Sequence, residues 1–159
     1  MARKTFNEKL NDSKDMPVVK TITNPTVVAR YGGERMLIAP PIAYDEIMKK
    51  VPEGKVITSD RIRAYLTAKH DADFTCPLTA GIFISIAAQA SVERAGLDQT
   101  PFFRTLKKDG ELNEKYPDGC GGQKIMLESE GHTVIQKGKR YFVQNYENVL
   151  WDIGGDSNE

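Results

Sequence analysis

The chain has 159 residues, equal numbers of basic and acidic side chains (22 of each) and an ordinary hydrophobic content of 40%. This length suits one domain, and no apolar run approaches the roughly 18 residues that a membrane span needs. A net charge of zero excludes a protein that coats polyanions through its overall charge, so any contact with nucleic acid has to come from a local basic face.

Neither a secretory signal nor a disulfide or metal site is indicated by the sequence. The basic start of the chain is followed by a polar stretch without the apolar core of a secretory signal, so we expect a cytoplasmic protein. The two cysteines, Cys76 and Cys120, lie in unrelated surroundings without a second Cys or His at metal-ligand spacing. We therefore expect two free thiols, no metal and no cofactor.

Residues 1–40 are the least patterned part of the chain and are expected to form an N-terminal arm or an added subdomain. A short helix is predicted from Thr5 to Leu10, and turn residues follow it. The apolar run 36–39 predicts a strand or an extended segment. From Tyr44 to Val51, apolar side chains at helical spacing predict a helix that ends before a Pro and a Gly.

Two further helices joined by a short turn have the outline of a helix-turn-helix. The first is expected to begin with Ser59 as its N-cap and Asp60 in its first turn, where a carboxylate is favoured. Pro77 suits the first turn of the second helix, which continues over residues 78–94.

The second of these helices is apolar over most of its surface. Its core-facing residues are expected to be Ile82, Phe83, Ile86, Ala87 and Ala90. Ile84 lies off this face and is expected at the surface. An exposed apolar helix face suits a protein partner or a dimer interface better than a phosphate groove.

The last third of the chain predicts a loop, a helix and a hairpin. Residues 97–119 are loop-like, and a helix is expected from about Gly122 to Ser129. Two β-prone runs around Lys137-Gly138 indicate a hairpin of the kind that forms a wing. Residues 154–159 are polar and acidic and are expected to be disordered.

These elements predict a mixed α/β fold that is mainly α. We expect residues 41–153 to form a winged-helix-like helix-turn-helix domain with a C-terminal hairpin, preceded by the N-terminal extension.

Six short motifs resemble those of the alkylguanine-DNA alkyltransferases and the alkyltransferase-like proteins, in the same order and at nearly the same spacing. They are "VPEGKVITS" (51–59), "CP" (76–77), "PFFRTL" (101–106), "KDG" (108–110), "YPDG" (116–119) and "MLESEG" (126–131). The match covers about Ile47 to Gly131. The resemblance implies a DNA-binding domain and a role in DNA repair.

The chain departs from the family at the acceptor cysteine and its histidine. The resemblance places Phe102 and Phe103 at those two positions. Alkyl transfer needs a thiolate nucleophile, which a phenyl ring cannot supply. The alkyltransferase-like branch also lacks the cysteine and binds damaged DNA without repairing it, so we expect no enzyme activity and no catalytic residue.

Two positions associated with base flipping also differ. The family's intercalating arginine corresponds to Gly81, and its phosphate-rotating tyrosine to Ser59, or to Thr58 if the register is off by one. Flipping a base costs a few kcal/mol, and neither residue offers a side chain that compensates for this cost.

Candidate site residues follow from the resemblance and from the helix starts. Residues expected to line an aromatic, base-sized pocket are Phe102, Phe103, Tyr116 and Pro117. Residues expected to contact DNA are Thr58, Ser59, Asp60, Arg61, Thr79, Gly81, Arg104, Lys107, Lys108, Lys137, Lys139 and Arg140.

Three functions remain open. The first is a non-enzymatic protein that binds double-stranded DNA, with alkylated guanine in the aromatic pocket. The second is a scaffold that has lost DNA binding and acts through protein or small-molecule contacts. The third is a methyltransferase-type enzyme that uses Cys120, whose place near a helix start is expected to lower the thiol pKa. We expect a monomer or a weak dimer without membrane contact.

Overall fold

The N-terminal segment begins with a short helix that is docked on the body of the protein. In the computed structural model, which describes residues 4–153, helix α1 spans Phe6–Leu10. Thr5 and Glu8 form a reciprocal capping box at its start, which satisfies amides that would otherwise lack partners. Leu10, its last residue, is buried in the main core. The short helix predicted from Thr5 to Leu10 is confirmed, with Thr5 as its N-cap.

A three-stranded sheet joins this segment to the rest of the chain. Strand β1 (Val18–Thr21) pairs antiparallel with β2 (Arg35–Ile38), and helix α2 (Pro25–Tyr31) connects the two. The same β2 pairs in parallel with strand β4 (Phe74–Thr75) from the middle of the chain. The boundary between the N-terminal extension and the domain from residue 41 stays a prediction. Strand β2, which precedes this boundary, pairs with β4, which follows it.

Three helices enclose the main hydrophobic core. They are α3 (Pro41–Lys50), α4 (Ser59–Lys69) and α5 (Pro77–Glu93). Tyr44, Ile62 and Ile84 supply one buried side chain from each helix. The predicted helix-turn-helix corresponds to α4 and α5, and β4 lies in the short connection between them.

A second, smaller core lies under the C-terminal hairpin. Strand β3 (Ile57–Thr58) pairs in parallel with β5 (Thr105–Leu106), and helix α6 (Gly119–Ser129) packs beside them. The predicted hairpin is present as β6 (Val134–Lys137) and β7 (Arg140–Val143). The side chains buried in this core are Val56, Leu106, Leu112, Leu127 and Val143.

The described residues form a mixed α/β fold in which helices predominate, so the predicted fold class is confirmed. No helix between residues 4 and 153 is both long and apolar enough to cross a membrane. The expected disordered tail, residues 154–159, lies outside the described residues.

The predicted starts of α3, α4 and α6 and the predicted loop between residues 97 and 119 differ from the structure. Helix α3 begins at Pro41, three residues before the expected Tyr44. Thr58, not Ser59, is the N-cap of α4, and its buried side chain makes no capping hydrogen bond. Helix α6 begins at Gly119, three residues earlier than expected. The predicted loop also contains strand β5 and two 3-10 turns, Phe102–Arg104 and Lys108–Gly110.

The predicted orientation of α5 is wrong at two isoleucines. Ile84 is 2% exposed and belongs to the main core, whereas Ile82 is 50% exposed. The residues of α5 that are buried are Ala80, Ile84, Ala87, Ala88, Ala90 and Ser91. Because the helix is apolar on nearly every face, periodicity could not identify the face that α3 and α1 cover.

Candidate nucleic-acid interface

A cavity of about 460 Å³ lies between the start of α5 and the segment that follows β5. Among its lining residues are five of the predicted site residues: Ser59, Gly81, Lys107, Lys108 and Tyr116. They come from α4, from α5 and from two parts of the 105–116 segment. The fold therefore brings together positions that are as far as 57 residues apart in sequence (59 to 116).

Phe102 and Phe103, which the motif resemblance predicts at the cysteine and histidine positions, pack into the protein. The ring of Phe102 is 7% exposed and meets the ring of Tyr116 edge-on, with centroids 5.2 Å apart. Phe103 is half-buried and also meets Phe102 edge-on, at 6.3 Å. Such edge-to-face contacts are favourable and fill space, so this aromatic cluster acts as core.

Tyr116 separates this aromatic cluster from the cavity. Its hydroxyl donates a hydrogen bond of 2.8 Å to the carbonyl of Thr105, which ties the "YPDG" loop to β5. Burial raises the pKa of Tyr116 well above its ordinary value, so the phenol stays protonated at neutral pH. The hydroxyl is a committed donor and is unsuited to proton transfer.

Gln123 holds both sides of the same loop in place, a role that the sequence does not reveal. It is 1% exposed. Its side-chain nitrogen donates to the carbonyl of Phe103 at 3.0 Å, and its oxygen accepts from the amide of Asn113 at 2.7 Å. A buried amide that satisfies two backbone groups holds them in one geometry. A single Gln within a glycine-rich run gives no sequence signal for this role.

The predicted pocket residues divide between two cavities. Phe102, Phe103 and Pro117 line a larger cavity of about 770 Å³ between the end of α5 and α6. Tyr116 lines the smaller cavity beside the start of α5. The four residues are neighbours, but they do not enclose one common space.

Arg104 is engaged in a structural ion pair. Its Nη2 lies 2.5 Å from Oε2 of Glu130, and its Nη1 donates to the carbonyl of Val51 at 2.8 Å. The Arg104 side chain is 16% exposed and that of Glu130 is 8% exposed. All three guanidinium nitrogens therefore have partners within the protein, which reduces the capacity of Arg104 for the predicted phosphate contact.

The predicted DNA-contact residues at the starts of α4 and α5 differ in how exposed they are. Thr58 is 2% exposed, so its side chain is not available to a ligand. Ser59 and Gly81 line the smaller cavity, and a Cβ at Gly81 would meet no atom within 4 Å. Arg61 is exposed and Asp60 is half-buried. Thr79 donates a long hydrogen bond of 3.4 Å to the carbonyl of Cys76 within the first turn of α5.

Three lysines line the smaller cavity, and two of them lack a carboxylate partner within residues 4–153. The Nζ of Lys107 lies 3.3 Å from Oε1 of Glu114. Lys108 and Lys115 are exposed and make no ion pair with any described residue. Lys115 was not among the predicted DNA contacts, because the sequence alone does not show that its loop folds back towards α5.

The basic hairpin is partly neutralised. Arg140 makes a bidentate contact with Glu111, in which Nη2 donates to Oε1 at 2.8 Å and Nε donates to Oε2 at 3.0 Å. These hydrogen bonds hold the pKa of Glu111 below its ordinary value despite partial burial. Lys137 and Arg140 also lie over the ring of Phe142, at 5.4 and 5.1 Å from its centre. Lys139 is exposed at the turn.

Cys120 does not have the environment of a reactive thiol. Burial, and then the nearby carboxylates of Glu114 and Glu111, raise its pKa above the ordinary value of 9.0. The expectation of a lowered pKa is therefore wrong, because desolvation and the two negative charges raise it. Within residues 4–153, no group of three or more His, Cys, Asp or Glu residues is placed to hold a metal ion.

Comparisons with known proteins give likenesses in structure alone. No protein-family model matches the sequence. No curated protein matches it either. The crystal structure of S. pombe ATL in complex with DNA matches with 19% sequence identity and a TM-score of 0.50, covering 70% of this chain and 94% of that chain.

A second crystal structure, that of S. pombe Atl1 in complex with damaged DNA containing O6-carboxymethylguanine, matches over the same shares of the two chains. Its sequence identity is 18% and its TM-score is 0.48. The fold implied by the six motifs is thus confirmed: about 70% of this chain has the fold of the S. pombe alkyltransferase-like protein.

Proposed function

We propose that this protein is a non-enzymatic, alkyltransferase-like protein that binds double-stranded DNA. The DNA-binding face comprises the starts of α4 and α5 and the 105–116 segment. The observation that carries the proposal is the cavity of about 460 Å³ in which Ser59, Gly81 and Lys108 come together. Its support from comparison is the shared fold with S. pombe ATL, whose crystal structure contains DNA.

Alkyl transfer is not part of the proposed function. Phe102 occupies the position that the resemblance assigns to the acceptor cysteine, and its ring is buried among aromatic neighbours. No thiolate is available there to displace an alkyl group. The raised pKa of Cys120 argues against a replacement nucleophile, because at neutral pH a thiol with this pKa is almost entirely protonated.

Recognition of alkylated guanine is the finer part of the proposal. The ring of Tyr116 borders the smaller cavity but is only 3% exposed, and the rings of Phe102 and Phe103 border the larger cavity. We therefore assign Tyr116 and Phe102 to the support of the cavity wall, and we place a flipped guanine in the space between the start of α5 and the 105–116 segment.

Salt-dependent binding to a short duplex tests the proposal. Binding is measured by fluorescence anisotropy with a labelled 20-base-pair duplex. The logarithm of the association constant is expected to fall linearly with the logarithm of the salt concentration. Lys108→Glu is expected to weaken binding and to reduce the salt slope by about one. Lys20→Glu, on the exposed edge of β1, is the matched control and should leave both unchanged. Absence of binding at low salt would overturn the proposal.

The same assay tests the recognition of alkylated guanine with a second duplex that carries a single O6-methylguanine. A tighter complex with this duplex supports lesion recognition, and equal affinity for the two duplexes limits the function to duplex binding.

A second candidate function, a scaffold acting through protein contacts, is favoured by the larger cavity. It is bordered by apolar side chains that are exposed, including Val92 at 54% and Met126 at 42%. This face lies at the end of α5 that is remote from Gly81. If the protein fails to bind any duplex at low salt, contacts on this face become the leading explanation of its function.

A further inference from the structure

We infer that Leu78 and Ile82 form an apolar wedge that enters between stacked base pairs of the bound duplex and unstacks them. This inference rests on the proposed DNA-binding function. It names the residues that replace the side chain missing at Gly81.

The two side chains are unusually exposed for their type. Leu78 is 73% exposed and Ile82 is 50% exposed, and both line the cavity beside the start of α5. They are four residues apart on one helix, so they lie one turn apart on the same face. The face of α5 that packs in the core is a different one, centred on Ile84 and Ala87. The exposed pair therefore contributes little to the fold.

The setting of the pair suits close approach to DNA. Gly81 lies beside Ile82 with open space around it, so no side chain stands between the helix backbone and a ligand at this point. Leucine and isoleucine are among the residues that DNA-bending proteins insert between base steps. Here both line the cavity, together with Pro77, Ile84 and Ser85 of the same helix, and they are the two large apolar side chains of that set that are exposed.

The charge around the cavity favours DNA over a second copy of the chain. The lining residues include three lysines against one glutamate, and Lys108 and Lys115 have no carboxylate partner in the described part of the protein. A two-fold dimer through this face would present the same positive rim from both sides. A duplex instead supplies phosphates to the lysines and an apolar base stack to Leu78 and Ile82.

The test compares three proteins on two duplexes. The proteins are the wild type, the double variant Leu78→Ala/Ile82→Ala, and the control Ile125→Ala. Ile125 is 71% exposed on α6 and does not line the cavity, so its replacement removes the same kind of side chain elsewhere. One duplex is fully paired and the other has a central mismatch, with 2-aminopurine beside the mismatch to report unstacking through increased fluorescence.

We expect the wild type and Ile125→Ala to prefer the mismatched duplex by on the order of tenfold, because a weakened step costs less to unstack. Both should raise the 2-aminopurine emission. The double variant should bind the paired duplex with an unchanged salt slope, lose most of the preference and leave the emission low. Circular dichroism melting is expected to show equal folding of all three proteins.

The outcomes separate this inference from the function on which it rests. Binding of the double variant with undiminished preference and emission overturns the wedge and leaves DNA binding intact. Failure of the wild type to bind either duplex at low salt overturns both. A wild type that is dimeric by sedimentation at the binding concentration, together with a monomeric double variant, overturns the wedge in favour of a self-association surface.

Discussion

Arg104 holds the carboxylate of Glu130 with its Nε, 3.0 Å from Oε1, and its Nη2, 2.5 Å from Oε2. The third nitrogen, Nη1, donates to the carbonyl of Val51. One side chain thus connects the turn that begins at Phe102, the end of α6 and the end of α3. The role of Arg104 is therefore structural: its guanidinium joins three segments of the fold.

Arg104→Ala is expected to lower the free energy of unfolding by about 2 to 3 kcal/mol, because it leaves a nearly buried carboxylate without its main partner. Urea unfolding followed by circular dichroism measures the change. Lys139→Ala, at the exposed hairpin turn, is the control and should stay within about 0.5 kcal/mol of the wild type. An Arg104→Ala protein of wild-type stability that binds DNA weakly would instead identify Arg104 as a phosphate ligand.

The pH dependence of stability should carry a contribution from Glu130. Burial by itself would raise the pKa of Glu130, but hydrogen bonds from Arg104 and from the Gly54 amide hold it below the ordinary value of 4.5. A carboxylate with a lowered folded-state pKa stabilises the protein fully above its unfolded value, and this contribution is lost as pH falls through the folded value.

The expected result is a difference in unfolding free energy between wild type and Glu130→Gln that is constant near neutrality and shrinks below about pH 4.5. Comparing the two proteins at each pH removes the contributions of other acidic groups, such as Glu111, that titrate in the same range. A difference that does not depend on pH would show that the charge of Glu130 has no role in stability.

Phe102 and Phe103 should differ in their importance for folding. Phe102→Ala removes a buried ring from the main core and is expected to cost about 3 to 5 kcal/mol. Phe103→Ala removes a half-buried ring and should cost clearly less, about 1 to 2 kcal/mol. Denaturant unfolding of both variants measures the order. If Phe102→Ala is as stable as the wild type but has lost affinity for DNA, Phe102 is a ligand-binding residue and not a core residue.

Much of the architecture could be predicted because local signals and packing agree. Pro77 in the first turn of α5 and the two β-prone runs around Gly138 each have a direct structural counterpart. The order of six motifs located the cavity-forming segments. These features depend on residues that are close in sequence, which is why the chain shows them directly.

The site could be predicted only in part because its form depends on long-range packing. Whether Phe102 lines a pocket or fills a core is decided by Tyr116 and α5, and no local pattern contains that information. The charge of Arg104 was visible in the sequence, but its neutralisation by Glu130 was not. The exposure of Leu78 and Ile82 was hidden because α5 is apolar on nearly every face.

Cys120 should react slowly with thiol reagents. Its pKa lies above the ordinary 9.0 because of burial and two neighbouring glutamates, so the thiolate fraction at pH 7 is below that of a free cysteine. With Cys76→Ser to leave one thiol, the rate of modification by iodoacetamide is expected to be several-fold lower in the folded protein than in urea. The folded rate should still be rising at pH 9, and a fast, pH-independent reaction near neutrality would restore the enzyme hypothesis.

Gly81→Arg tests whether the cavity face still lies against DNA in the way that the resemblance implies. A side chain fits at this position because a Cβ there meets no atom within 4 Å. Gly81→Ala is the reference variant and should stabilise the protein by about 0.5 to 1 kcal/mol, since glycine in an exposed helix interior is unfavourable.

Relative to that variant, Gly81→Arg is expected to tighten binding to a duplex at low salt and to increase the salt slope by about one, as one more phosphate contact requires. The measurement is the same anisotropy titration over a series of salt concentrations. Equal affinity and equal slope for Gly81→Arg and Gly81→Ala would place residue 81 away from the DNA. It would also remove Leu78 and Ile82 from the interface, because they line the same cavity.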